Sequence, residues 1–188
     1  GLTDLAGLSA LHTAEGDCFV DTAEGLTNLA GLVSLESVGG DLTLYRRDSL
    51  TTLSGLEAVR VGGVRYVGYN DQLHSLSGLE SLTRITDELC IYRSSALASL
   101  FGAPALESLG RVRVNDNDSL EGLAGFPTGA SIGDLCIQEN GALRDLAGLE
   151  ALTASSDDLF IADNPVLTSL AGLDGLTRVS GDIDIQDN

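Results

Sequence analysis

Leucine returns along this chain with unusual regularity. It occupies positions 2, 26, 50, 73, 97, 120, 143 and 167, at spacings of 23 or 24 residues. Three residues on, each repeat has a second leucine: Leu5, Leu29, Leu53, Leu76, Leu100, Leu123, Leu146 and Leu170. Two residues further stands a glycine: Gly7, Gly31, Gly55, Gly78, Gly102, Gly125, Gly148 and Gly172. The first half of a repeat reads LxxLxGLxxL, with apolar residues at every third position. That period predicts a tight 3₁₀-like or cornered path in place of an α-helix. The glycine lets the backbone bend or approach its neighbour closely. The second half reads DLTL, ELCI, DLCI, DLFI or DIDI. Its alternation has the period of a strand. A turn follows, often built on asparagine at Asn70, Asn117, Asn140, Asn164 and Asn188, a residue that tolerates left-handed backbone and bonds neighbouring backbone groups.

One strand per repeat leaves a leucine-lined face that only the neighbouring repeats can cover. The units therefore stack. The expected fold is a mainly β repeat solenoid: a right-handed leucine-rich or β-helix-like coil of eight turns, with a parallel sheet and short 3₁₀ or irregular segments. It spans residues 1–188 as a single domain. Three repeats depart from the pattern. GGVRYVGYN places Arg65 near an inward position unless a bulge turns Val64 in instead. LFGAPAL has Ala103 where leucine is usual, and FPTGASIGDL puts Gly129 at an apolar position. In the last repeat Leu167, Leu170, Leu173, Leu176, Val179, Ile183 and Ile185 are expected to face the core. Neither end carries an evident polar cap, so the repeat pattern predicts a segment of a longer chain, or ends that stack on other copies.

The stretch GGDLTLYRRDSLTTLSGLEAV resembles the repeat of receptor L domains, the leucine-rich solenoid modules of insulin- and epidermal-growth-factor-type receptors. It is also similar to bacterial leucine-rich arrays of the same pattern, and ordinary leucine-rich repeats share its LxLxxN strand and asparagine turn. The resemblance covers essentially the whole chain. It implies a secreted or cell-surface binding module without catalytic activity. It transfers no ligand residues, because the shared motif is structural.

Composition narrows the functional classes. Hydrophobic residues make up 43% of the chain but aromatic ones only 4%, so the core must be aliphatic. Ten positive charges, all arginine, face 28 acids, for a net charge of −18. That balance argues against nucleic acid, whose phosphates need a basic footprint, and against docking on an anionic membrane. It fits solubility, cations or basic partners. No apolar run reaches transmembrane length, so no direct membrane insertion is expected. No signal peptide opens the chain, so a secreted form requires one removed or lying outside it. Three cysteines cannot form a complete disulfide framework. Cys18 reads as inward and buried. Cys90 and Cys136 read as outward and two rungs apart, about 9.6 Å, which is beyond disulfide reach.

In a stacked coil, equivalent positions form columns. The outward strand column runs Phe19, Thr43, Tyr66, Cys90, Arg113, Cys136, Phe160, Asp184. The column just after it runs Asp21, Tyr45, Gly68, Tyr92, Asn115, Gln138, Ala162, Gln186. All four tyrosines, Tyr45, Tyr66, Tyr69 and Tyr92, fall on the strand-and-turn region of repeats two to four, with Arg46, Arg47 and Arg93 beside them. Tyrosine and arginine are enriched at recognition hot spots, and tyrosine stacks on sugars and cations. These seven residues are the candidate ligand-binding surface, although β-propensity alone also favours tyrosine there. An acidic column precedes the strands at Asp17, Asp41, Glu88, Asp134, Asp158 and Asp182, where backbone capping and solvation are the expected role. A second follows them at Asp116, Glu139, Asp163 and Asp187. Oxygen ligands of this kind suit Ca²⁺, but the EF-hand and nonapeptide motifs are missing. His12 and His74 both lie on the first, helix-like half of their repeats, and the cysteine spacing fits no zinc motif. No cofactor or enzyme activity is expected. The sequence points to a non-catalytic recognition module for a protein or carbohydrate ligand, bound through the strand face. The alternative is a structural or adhesive array that self-associates end to end or spaces other domains.

Overall fold

The computed structural model describes residues 1–21, 25–45, 49–104, 106, 108–126 and 131–188, and the side chains of these except at 61–65, 84, 86 and 108. The chain forms a mainly β parallel solenoid whose successive turns are roughly 24 residues apart. Its strands are β1 (Thr13–Ala14), β2 (Cys18–Asp21), β3 (Ser37–Tyr45), β4 (Arg60–Gly68), β5 (Arg84–Tyr92), β6 (Ser108–Asn115), β7 (Ser131–Ile132), β8 (Leu135–Gln138), β9 (Ala154–Ser155), β10 (Leu159–Ala162), β11 (Arg178–Val179) and β12 (Ile183–Gln186). The main sheet runs β1–β3–β4–β5–β6–β8–β10–β12, with β2 also on β3, and a small second sheet runs β11–β9–β7. All these pairings are parallel. Two 3₁₀ turns, Ala6–Leu8 and Ala30–Leu32, precede β1 and β3 and lie against each other. Among the described residues no helix is long and apolar enough to cross a membrane.

The register matches the columns drawn from sequence. Thr43 pairs with Tyr66, Tyr66 with Cys90, Cys90 with Arg113, Arg113 with Cys136, and Cys136 with Phe160. In the core, leucines such as Leu50, Leu53, Leu73, Leu97, Leu120, Leu123, Leu143 and Leu146 are fully buried. The described coil has about six turns. In the last turn, Leu170, Ile183 and Ile185 are 40%, 61% and 45% exposed, since only the preceding turn covers them. Their expected burial is therefore one-sided, with Leu167 alone among the seven buried, at 9% exposure.

The irregular repeats find local solutions. Val64 pairs with Leu42 and Tyr66 with Thr43, which leaves Arg65 as the extra residue of a bulge. The side chain of Arg65 lies outside the described side chains, as Gly129 lies outside the described residues. Ala103 is buried at the short position of its column, and the next turn fills the space with Phe126, also buried. The remaining void there is about 10 Å³. The volume lost on one turn is recovered on its neighbour, which is how cores tolerate such exchanges.

The repeat glycine is required for two reasons. At Gly78 the φ angle is +117°, a left-handed conformation, and an added Cβ would lie 2.3 Å from the carbonyl oxygen of Leu53 on the preceding turn. In the first two repeats the equivalent Gly7 and Gly31 instead sit inside the 3₁₀ turns.

Candidate functional site

Among the described residues, the turns after β4, β5, β6, β8, β10 and β12 are each built on a left-handed residue followed by a polar one, which is buried in all but the last. Tyr69, Arg93, Asp116, Glu139, Asp163 and Asp187 have φ between 47° and 58°. At this corner the backbone N–H bonds the next turn: Asp116 N donates to Gln138 O at 3.0 Å, and Tyr69 N to Tyr92 O at 2.9 Å. Their side chains are thereby displayed along one edge of the sheet.

Behind that edge runs an amide ladder. Asn117 Nδ2 donates to Ile91 O (3.2 Å) and Asn115 O (2.9 Å), and its Oδ1 accepts from Ser94 N (3.1 Å). Asn117 N donates to Asn140 Oδ1, Asn140 N to Asn164 Oδ1, and Asn164 N to Asn188 Oδ1. The Asn117 side chain thus satisfies backbone groups on its own turn and on the preceding one, while its backbone N–H reaches the side chain of the next. Ser94 interrupts the series, and its buried hydroxyl has no hydrogen-bond partner.

On the outer face of these same turns the tyrosines come together. Tyr45 meets Tyr66 with ring centres 5.3 Å apart and Tyr69 with centres 5.0 Å apart. Tyr69 meets Tyr92 at 5.3 Å. All three contacts are edge to face, with ring planes 72–77° apart. The Arg93 guanidinium lies 5.5 Å from the Tyr69 ring centre and 5.2 Å from that of Tyr92. A hydrogen bond to Asp116 fixes it there and raises its pKa. Five of the seven residues expected to bind ligand therefore form one contiguous cluster. Arg46 and Arg47 lie outside the described residues. The four tyrosines are half-buried, because each ring covers its neighbour.

Three further residues of this cluster, Gly68, Cys90 and Glu88, are placed in their columns by the sequence but not marked there as part of the binding surface. An added Cβ at Gly68 would lie 2.6 Å from Tyr66 Cε1 and 3.0 Å from Tyr92 O, so the missing side chain is what seats the Tyr66 ring. Cys90, expected outward, is buried beneath Tyr66. Its thiol is pushed up to about 11 by burial and then by the charge of Glu88, while a hydrogen bond with Tyr66 works the other way. Burial first, and then Cys90, raise the Tyr66 hydroxyl as well. Glu88, whose carboxylate meets Arg113 Nε at 3.1 Å, forms with Thr43, Tyr45 and Tyr66 an open hollow of about 450 Å³. The cross-strand register, read as which side chain covers which, would have flagged Cys90.

The acidic columns do structural work where they are described. Asp17, Asp134 and Asp158 each accept the N–H of the equivalent residue one turn on, at 2.9, 3.2 and 2.8 Å. Asp134 also bonds Arg111. Burial raises its pKa, but the Arg111 and Asp158 hydrogen bonds outweigh this and leave it low. Asp116, Glu139, Asp163 and Asp187 all occupy the left-handed corner. Asp116 is held by Arg93, and Gln138 Nε2 bridges Glu139 and Asp163. The described carboxylates that crowd most closely are a different set, Asp134, Asp157 and Asp158, with oxygens within 4.8 Å of one another. There the Asp134 charge raises Asp157. Cys18, Cys90 and Cys136 are free thiols, with Cys18 and Cys136 half-buried. His12 and His74 are exposed.

Compared with known proteins, the chain matches no family model, no curated protein and no solved structure.

Proposed function

We propose that this protein is a non-catalytic recognition module that binds a protein or glycan through its strand face, centred on Tyr45, Tyr66, Tyr69, Tyr92 and Arg93. One observation carries the reading: four tyrosines drawn from three successive turns gather into one edge-to-face cluster capped by an arginine. Rigid aromatic side chains beside an ordered guanidinium offer contact area at low entropic cost, as recognition surfaces do. The repeat pattern supports a leucine-rich coil of eight right-handed turns, since parallel crossovers within one sheet almost always take that hand. The receptor L-domain resemblance supports an extracellular or cell-surface setting. The test is an array of proteins and glycans probed with the intact chain. Loss of its hits in Tyr45→Ala and Tyr92→Ala, with unchanged circular dichroism, supports the tyrosine surface, and unchanged hits remove it.

A further inference from the structure

We infer that the hollow between Tyr45, Tyr66 and Glu88 binds an alkylammonium cation, with a trimethylammonium head group as its best-fitting form. The inference rests on the strand face being a recognition surface, and names the chemistry that it recognises. Tyr45 and Tyr66 stand 72° apart with centres at 5.3 Å, so they make two walls of a corner. A sugar ring stacks on a flat platform, whereas a compact cation fits a corner where ring electrons face it from two sides. The Glu88 carboxylate and Thr43 complete the lining of this open hollow of about 450 Å³.

Two further observations point the same way. The neighbouring part of the cluster already holds a cation, the Arg93 guanidinium over Tyr69 and Tyr92. The net charge of −18 concentrates cations around the molecule. A methylated ammonium gives up little hydration on leaving water, whereas a bare ammonium is strongly hydrated. Arg113 opposes binding, because it engages one oxygen of Glu88. The same head group can come from a free choline-type molecule or from a trimethylated lysine on a polypeptide.

The experiment is an NMR titration of the intact chain with choline, with its uncharged isostere 3,3-dimethylbutanol, and with a lysine peptide in trimethylated and unmodified forms. Choline should bind roughly tenfold tighter than the isostere. Tyr66→Leu should weaken it by about tenfold while Tyr66→Phe retains it. Glu88→Gln should weaken it and Arg113→Gln should tighten it. A trimethylated peptide that binds tighter than choline assigns the polypeptide source, and the reverse order assigns the free molecule. Equal binding of choline and isostere, or choline binding that survives Tyr66→Leu in a folded protein, overturns the inference. Absence of all cation binding, while array ligands still depend on the tyrosines, overturns this inference alone and leaves the recognition surface standing.

Discussion

Gly68 holds its place in an outward column because the neighbouring ring needs the space. Gly68→Ala puts a methyl group against Tyr66 and Tyr92. The expected cost is about 1–3 kcal/mol, the usual range for overpacking, read as a lower urea midpoint with an unchanged slope. Beneath the same ring, Cys90 should be the slowest of the three thiols to react with a maleimide. Its pKa is raised from the ordinary 9.0 to about 11. The proton is thus held more tightly in the folded state, so its share of stability is full below pH 9 and is lost as pH rises towards 11. Cys90→Ser, which leaves the site less apolar, should flatten that alkaline decline in thermal melts. Neither residue was legible in isolation. Gly68 reads as one weak strand residue, and Cys90 as an exposed one, until the Tyr66 ring is known to lie across both.

At the scale of the elements, the turns are joined by amides as much as by leucines. Asn117→Ala strips three hydrogen bonds from backbone groups, two of them buried and one part-buried. Each group left unsatisfied costs about 1–3 kcal/mol, so this variant should lose more stability than any single surface charge change. Ser94→Asn should restore the missing member of the ladder and raise the denaturation midpoint by an amount equivalent to about 1 kcal/mol. The repeat, the strand column and the asparagine turn were all legible, because a parallel coil forces equivalent residues into register. The bulge at Arg65 was legible only as one of two alternatives, since period-two alternation cannot say which residue is extra. The exchange of volume between Ala103 and Phe126 was missed because each was read within its own repeat, whereas the core is shared between repeats.

For the whole molecule, charge sets the response to solvent. With 28 acids against 10 arginines, like charges accumulate along the coil, and salt should raise the melting temperature by screening them. Acid acts in two opposed ways. Asp134 lies below its ordinary 3.8, so its contribution is full above that value and is lost as pH falls below it. Asp157 is raised by its neighbour, so its protonation relieves repulsion. Arg111→Gln should lift the Asp134 titration midpoint in carbon-detected NMR and weaken the protein at neutral pH.

The amide ladder also divides the coil mechanically. From Ser94 N through Asn117, Asn140, Asn164 and Asn188, successive turns are stitched in series by side-chain oxygens. A tether pulling along the coil axis would meet a stiff rope in that half. On the other side of Ser94 the amide of Asn70 still donates to Leu44 O and Gly68 O, at 3.3 and 3.1 Å, and edge-to-face tyrosine rings cover the outer seam. There the strands are also longest, nine residues in each of β3, β4 and β5 against four in β8, β10 and β12, so the two halves resist tension by different means: a ladder of amides behind short strands in one, long paired strands beneath the four rings in the other.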